Sequence, residues 1–366
     1  MQPKVSVIIP VYNVEKFLPE CLDSVLNQTL TDIEIICVED CSTDNSATIL
    51  KEYSKMDSRI NVVWHKVNAG CTKARKDGVL TAQGKYIMFL DSDDALFLHA
   101  CETAYNAIEK YKTDVLEFGV KIVDTTGKEK IIEWLETEPM DSTEVENLLY
   151  LWLQGKLKNW MVWKKIYRSD ICKQAYREME DSHITIAEDV YLFCVLGYYT
   201  RSISMISEQL YLYRWGVGVS TILHTVQFIS LEYYKKLLGE KDTLDAIARF
   251  VNNKPDKEEY KSLIQMLHDD WLHLAVSLWQ DKLAEEDKIP GFVALAQKWG
   301  MEETAEGLLW LRHNGQEELK VVKNELAVAE QRACEAEVNV RAMQTGYSFR
   351  IGRILTYIPR KLLGRP

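Results

Sequence analysis

Two hydrophobic rhythms alternate along the first ninety or so residues. Residues 5–10, 33–38, 60–64 and 86–90 read as short strands, and the unbroken apolar run 86–90 has the pattern of a strand buried on both faces. Between them, residues 15–28 carry apolar side chains at Phe17, Leu18, Cys21, Leu22, Val25 and Leu26, the spacing of an amphipathic helix. Thr43-Asp44-Asn45-Ser46 opens a second helix with good capping residues, and residues 70–82 read as a third. Strand and helix alternating four times with short turns predicts an α/β domain built on a doubly wound, mostly parallel sheet.

The alternation weakens after Asp94. Residues 97–111 read as helix, and 115–123 with 130–135 read as an antiparallel hairpin around the turn Asp124-Thr-Thr-Gly127. Helical patterns are expected over 143–153 and again near 163–168. Glu188-Asp189 precedes the apolar run 190–196, and 209–214 looks like a last strand. From 226 to about 311 the spacing is helical. From Leu319 apolar or alanine residues fall at 319, 322, 326, 329, 333, 336 and 340, a heptad seam suited to a homodimer or to a helix packed on its own protein. In the tail, Ile351, Ile354, Leu355, Ile358 and Leu362 share one helical face flanked by Arg350, Arg353, Arg360 and Lys361. Such a helix lies in an anionic membrane interface or docks on the protein. The expected domains are therefore 1–225, a helical domain over 226–315, a heptad helix over 316–345 and a basic amphipathic tail over 346–366.

The net charge of −11 argues against a nucleic-acid partner. The charge is uneven: residues 341–366 hold six basic side chains and no acid. No apolar run reaches membrane-spanning length and no signal peptide is visible. The eight scattered cysteines include no C-x-x-C pair, so free thiols in a reducing cytoplasm are expected, with the tail holding the chain to the inner face of the plasma membrane.

Each expected strand ends in polar groups. Pro10-Val11-Tyr12-Asn13 follows the first, Glu39-Asp40 the second, Asn68 to Arg75 the third, and Asp91-Ser92-Asp93-Asp94 the fourth. In parallel α/β sheets these ends meet at one edge, where ligands bind. On an extended backbone Asp91 and Asp93 point to the same side and can share a hard divalent cation. Taken alone, the cluster reads first as an Asp-rich turn or helix cap. An aromatic ring, carboxylates, one arginine and a cation together suit a nucleoside diphosphate.

In order along the chain, Val5-Ser-Val-Ile-Ile-Pro-Val-Tyr-Asn13, Val38-Glu-Asp-Cys-Ser-Thr-Asp-Asn-Ser46, Phe89-Leu-Asp-Ser-Asp-Asp94, Ala187-Glu-Asp-Val190 and Tyr211-Leu-Tyr-Arg214 with Ser220 resemble the inverting family 2 glycosyltransferases of the GT-A fold. The resemblance covers about residues 4 to 220. It implies a GT-A domain followed by a helical C-terminal region, and transfer of a sugar from a nucleoside-diphosphate donor, UDP by the family's habit, to a hydroxyl of a glycan or lipid-linked acceptor. Carried onto this chain, it implies that Pro10, Tyr12 and Asp40 hold the nucleoside and Arg75 lies near the diphosphate. Asp91 and Asp93 would supply the D-x-D contact to Mn²⁺ or Mg²⁺, Asp93 by direct ligation and Asp91 through ribose or the metal's outer sphere. Asp189, with Glu188 beside it, would take the acceptor's proton. The tail is similar to endings of bacterial enzymes that build surface polysaccharides.

Three positions depart from the family pattern: Cys41 for glycine, Glu39 for the first of two aspartates, and Lys76 for asparagine. A helix N-terminus lowers a carboxylate's pKa, so Asp189 reads either as a cap or as a base working against the helix dipole. Trp160 and Trp163 read as core or as the lining of an acceptor groove. His183 and His224 flank the later motifs as surface residues or as metal neighbours. Two other readings compete: a sugar-nucleotide nucleotidyltransferase, which would want a glycine-rich loop after the first strand, and a membrane-associated scaffold that binds nucleotide without turnover.

Overall fold

A computed structural model describes residues 2–157, 160–180, 184, 186–217 and 227–311. The heptad segment, the basic tail, His183, Ser220 and His224 lie outside the described residues. Residues 1–225 and 245–257 form one compact unit, and 226–244 with the described part of 258–366 form another.

The first unit is built on one ten-stranded sheet. Its opening half follows the expected alternation: β1 (Val5–Val11), α1 (Leu18–Leu26), β2 (Ile33–Glu39), α2 (Ser46–Met56), β3 (Ile60–Trp64), α3 (Cys71–Thr81) and β4 (Tyr86–Phe89). These four strands lie in the order β3-β2-β1-β4, all parallel. Gly84 permits the tight entry into β4, since a Cβ there would stand 2.6 Å from the Ser6 backbone nitrogen.

The sheet continues with β5 (Ala95–Leu96), β6 (Val115–Asp124), β7 (Glu129–Lys130), β8 (Met140–Glu144), β9 (Lys165–Arg168) and β10 (Ser202–Trp215). β9 enters antiparallel between β4 and β6, and β10 runs parallel to β6. Six strands thus share one direction, while β5, β7, β8 and β9 oppose it. The sheet is mostly parallel, as the alternation of strand and helix predicts.

The structure corrects the sequence reading in three places. Residues 163–168 do not form a helix but lead into β9, a central strand. The pattern misled because Lys164 and Lys165 are fully buried, which sequence polarity argues against. Both lysines flank the Glu117 carboxylate, at 3.2 and 3.1 Å, so the burial is partly charge-compensated. Residues 143–153 divide into the end of β8 and a short α5 (Leu148–Leu153), whose N-terminus is capped by Asn147 accepting from the Tyr150 N–H at 3.0 Å. The expected hairpin is much shorter than its pattern: only Glu129 and Lys130 pair with β6 before a single 3₁₀ turn at Glu133–Leu135.

Up to residue 225 the first unit also contains, among the described residues, α4 (Ala100–Tyr111), α6 (Ser169–Glu178) and α7 (Glu188–Tyr199). Beyond residue 226 come α8 (Leu231–Leu237), α9 (Glu240–Asn252), α10 (Lys261–Lys282), α11 (Lys288–Trp299) and α12 (Met301–Trp310), matching the helical spacing. No helix among the described residues is long and apolar enough to cross a membrane.

Cys41 adopts φ +60°, the left-handed conformation that glycine takes without cost. Glu39 supports this turn, its carboxylate accepting from the N–H groups of Ser42 at 2.7 Å and Cys41 at 3.2 Å. The two departures from the family pattern therefore belong together: the longer acid holds a turn that lacks its glycine. Left-handed φ costs an ordinary residue roughly 1–2 kcal/mol, against roughly 0.5–1 kcal/mol of extra chain entropy for glycine. Cys41→Gly is expected to raise the thermal midpoint by about 1–3 °C in a calorimetric melt; a lowered midpoint would show that the thiol contributes more than the backbone loses.

Candidate functional site

Parallel register brings the ends of β1, β2 and β4 to one edge. The loops after β1 and β2 are knitted together there. Asn13 Oδ1 accepts from the Thr43 N–H at 2.8 Å, Ser46 Oγ accepts from the Val14 N–H at 3.0 Å, and Glu15 accepts from the Asn45 N–H at 3.0 Å. Pro10 is buried at the end of β1, and Tyr12 projects from the knitted rim with 46% of its surface exposed. An aromatic face held there is available for stacking.

Asp40, expected as a nucleoside contact, is engaged by the loop after β3. Its Oδ1 accepts from the Ala69 N–H at 2.8 Å and faces His65 Nδ1 at 2.7 Å, while Oδ2 accepts from the Gly70 N–H at 2.8 Å. The residue is 2% exposed. Its carboxylate fastens the loop after β3 to the end of β2. His65 Nε2 reaches Asp77 at 3.0 Å, so the imidazole links that loop onward to α3.

The acids after β4 are held by β10. Asp94, the third acid, is buried and accepts from the Tyr211 hydroxyl at 2.8 Å and the Arg214 N–H at 2.7 Å. The Tyr211 hydroxyl in turn accepts from the Asp91 N–H at 3.1 Å, and Arg214 Nη1 donates to the Asp93 carbonyl at 2.5 Å. Tyr211-Leu-Tyr-Arg214 is thus the clasp of the D-x-D turn. Sequence reasoning singled out the motif without this role and gave Asp94 none; the adjacency of a third acid was the available signal. Burial pushes the Asp94 carboxyl well up, with Asp93 and Asp91 adding. Asp93 rises to about 6, chiefly through burial and then through the neighbouring Asp91 charge.

Glu188 and Asp189 open α7, behind Ala187 at φ +54°. A non-glycine residue held left-handed immediately before two acids is strained backbone of the kind that gathers at functional sites. The connection between these acids and the D-x-D turn is Arg75. Its guanidinium, 2% exposed on α3, donates from Nη2 to Asp91 at 2.8 Å and from Nη1 to Asp189 at 3.2 Å, with Glu188 at 3.7 Å. Arg75, expected beside a diphosphate, engages acids from two distant motifs.

The helix dipole does not decide the state of Asp189. Burial lifts its carboxyl to about 7, Arg75 opposes the rise, and the charges of Glu188 and Asp91 add to it. Its side chain nonetheless keeps 21% exposure, so one side remains open to a reactant. A carboxylate shifted this way is a better proton acceptor near neutrality than an ordinary aspartate.

Asp91, Asp93, Glu188 and Asp189 outnumber the arginines beside them, Arg75 and Arg214. A buried acid raised by a like-charged neighbour is short of positive charge, which a hard divalent cation supplies. No ready-made cluster of three or more metal-ligating side chains occurs among the described residues. The acids fit a cation whose remaining oxygens come from a bound diphosphate or water.

Trp163 is 4% exposed and stacks at 5.1 Å on Tyr213, so it is core and not an acceptor surface. Trp160 packs 5.8 Å from Trp152 and is half-buried. Lys76 donates to the Met179 carbonyl at 2.7 Å, joining α3 to the end of α6 just upstream of Glu188 and Asp189.

Comparison with known proteins identifies the family. Residues 6–168 match the model of Glycosyl transferase family 2. EpsJ of Bacillus subtilis, an uncharacterized glycosyltransferase by name, is 35% identical over 58% of this chain and 62% of its own length. The Bacillus subtilis protein EpsH, provisionally named a glycosyltransferase, is 31% identical over 71% of this chain and 72% of its own. The crystal structure of S. aureus TarS 1–349 in complex with UDP-GlcNAc superimposes with a TM-score of 0.57 at 23% identity, covering 83% of each chain, a likeness of fold.

Proposed function

The chain belongs to glycosyl transferase family 2, and on that premise we propose that it is a metal-dependent, inverting glycosyltransferase acting on a nucleoside-diphosphate sugar. The observation that carries the reading is the convergence of Asp91 and Asp189 on one buried guanidinium, at 2.8 and 3.2 Å. Two motifs a hundred residues apart thereby share one site, with a donor-side acid and an acceptor-side acid facing each other across Arg75.

In this reading Tyr12 stacks on the base at the knitted rim, above the buried Pro10. Asp93, with Asp91 nearby, would hold Mn²⁺ or Mg²⁺; when bound, that cation offsets the charge growing on the departing diphosphate. The acceptor hydroxyl attacks the anomeric carbon from the face opposite the diphosphate. The new C–O bond forms as the bond to the diphosphate oxygen breaks, and the hydroxyl proton passes to an Asp189 carboxylate oxygen. A single displacement of this kind inverts the anomeric configuration. Glu188 keeps negative charge beside Asp189 and so favours its acceptance of the proton.

UDP-GlcNAc, bound by TarS, and other UDP-sugars are the first donors to try. A glycan or lipid-linked acceptor in surface polysaccharide synthesis suits a relative named for teichuronic acid biosynthesis, Bacillus subtilis TuaG, 46% identical over 25% of this chain. The test is turnover of a panel of sugar nucleotides, followed by mass spectrometry with Mn²⁺, Mg²⁺ or EDTA. One donor consumed only with metal is expected. Its rate should fall as pH drops below about 7, because Asp189 must be ionised to accept a proton. Absence of turnover and of metal-dependent nucleotide binding across the panel would overturn the reading in favour of a scaffold.

A further inference from the structure

Arg75 sits where a phosphate-binding arginine is expected, yet its geometry is that of a tie. The guanidinium is fully buried, with Nη2 on Asp91 and Nη1 on Asp189, and Nε has no hydrogen-bond partner. Its backbone is rigid, since α3 packs against β1, β2 and α6. A planar guanidinium spans two carboxylates at a fixed separation, which a lysine ammonium cannot do.

The two acids it joins belong to opposite halves of the site. Asp91 is on the donor side, in the turn clasped by Asp94 and Tyr211. Asp189 is on the acceptor side, at the start of α7. A single guanidinium carries one unit of charge, so the two acids compete for it: whatever draws Asp91 away leaves more of the guanidinium to Asp189, and the reverse. Resting on the glycosyltransferase reading, we propose that Arg75 is a positioning residue that energetically couples donor binding at Asp91 to the placement of Asp189. Donor and cation take over part of the charge balance at Asp91, and Arg75 then holds Asp189 as a fixed carboxylate on the acceptor side. By linkage, the effect is reciprocal.

The coupling can be measured without turnover. UDP is titrated calorimetrically in the presence of Mn²⁺ into the full chain and into Asp189→Asn, Arg75→Lys and the double variant. Losing the charge at Asp189 releases Arg75 to Asp91, where it competes with the incoming cation. Asp189→Asn alone is therefore expected to weaken UDP binding about three- to tenfold, through charge competition of ordinary coupling size. In the Arg75→Lys background the same substitution should change UDP affinity less than twofold, because an ammonium reaches one acid only. Arg75→Lys retains the buried positive charge and so is the variant expected to fold; a thermal melt in parallel identifies any that do not, and for such a variant Arg75→Gln replaces it in the cycle.

An equal Asp189→Asn effect in both backgrounds would overturn the coupling, as would no effect in either. Neither result touches the glycosyltransferase reading, which fails only if the unaltered chain binds no nucleotide with metal. A kinetic split gives a second readout: Arg75→Lys should lower kcat more than it raises the donor KM. A change confined to KM would instead make Arg75 a simple diphosphate contact.

Discussion

Asp189→Asn should lower the rate of sugar transfer by about 10²–10⁴-fold, the usual contribution of a general base, while metal-dependent UDP binding stays within about tenfold of the unaltered chain. Asparagine is nearly isosteric and can still receive a hydrogen bond from Arg75 Nη1, now 3.2 Å from the carboxylate, but it cannot take up a proton. Stability provides an independent check. An aspartate titrates near 3.9 in an unfolded chain, whereas in the folded protein burial raises Asp189 to about 7. Between these values the folded state binds the proton more tightly, so stability falls as pH rises through the window, and above it the full cost of the buried charge remains. Asp189→Asn removes that cost. Its thermal midpoint at pH 8 should equal or exceed that of the unaltered chain, with the advantage shrinking toward pH 4. An acid whose work was only to cap α7 would give the reverse, a lower midpoint at pH 8 with transfer intact.

The opening half of the sheet was legible because local pattern and tertiary environment agree there. The run that becomes β4 is apolar without interruption, those that become β1, β2 and β3 are apolar but for single polar positions such as Ser6, Glu34 and Asn61, and the first helix between them carries amphipathic spacing. Reading failed where a buried charge interrupted the pattern. β9 carries Lys165 in the middle of the sheet, acceptable only because Glu117 arrives from β6, nearly fifty residues earlier in the chain. The candidate site shows the same division. Asp91, Asp93 and Asp189 were singled out by their motifs, and Asp91 and Asp189 meet at Arg75. The partners of Asp40 and Arg75 were not readable, since each depends on loops meeting across the sheet edge. Asp94 and Tyr211 were likewise hidden: their hydrogen bond spans 117 positions of sequence. Composition and spacing reveal which groups are present, while long-range closure decides which of them are already engaged.

Asp93→Asn is expected to abolish most metal-dependent function, with transfer down about 10³-fold or more if the cation supplies several kcal/mol at the leaving diphosphate. The substitution is informative because the turn does not depend on the Asp93 side chain. Arg214 holds the Asp93 carbonyl, and Tyr211 and the Arg214 N–H hold Asp94, so the backbone around residue 93 keeps its supports when one carboxylate becomes an amide. Burial and the Asp91 charge raise Asp93 to about 6, so above that pH it is ionised at a cost to the folded state. Neutralising it should therefore leave the thermal midpoint at pH 8 unchanged or slightly higher. Mn²⁺ with UDP should raise the midpoint of the unaltered chain, since ligands bound only by the folded state stabilise it, and should do so far less in Asp93→Asn. Calorimetric titration of UDP with Mn²⁺ gives the direct measure, with affinity falling at least a hundredfold, about 2.7 kcal/mol. UDP affinity retained within threefold would place the cation on other oxygens and leave Asp93 as a buried acid of the turn. Asp94→Asn is the contrasting substitution: it weakens the hydrogen bonds that clasp the turn and should cost stability and activity together, so the two neighbouring acids separate charge at the site from the architecture that presents it.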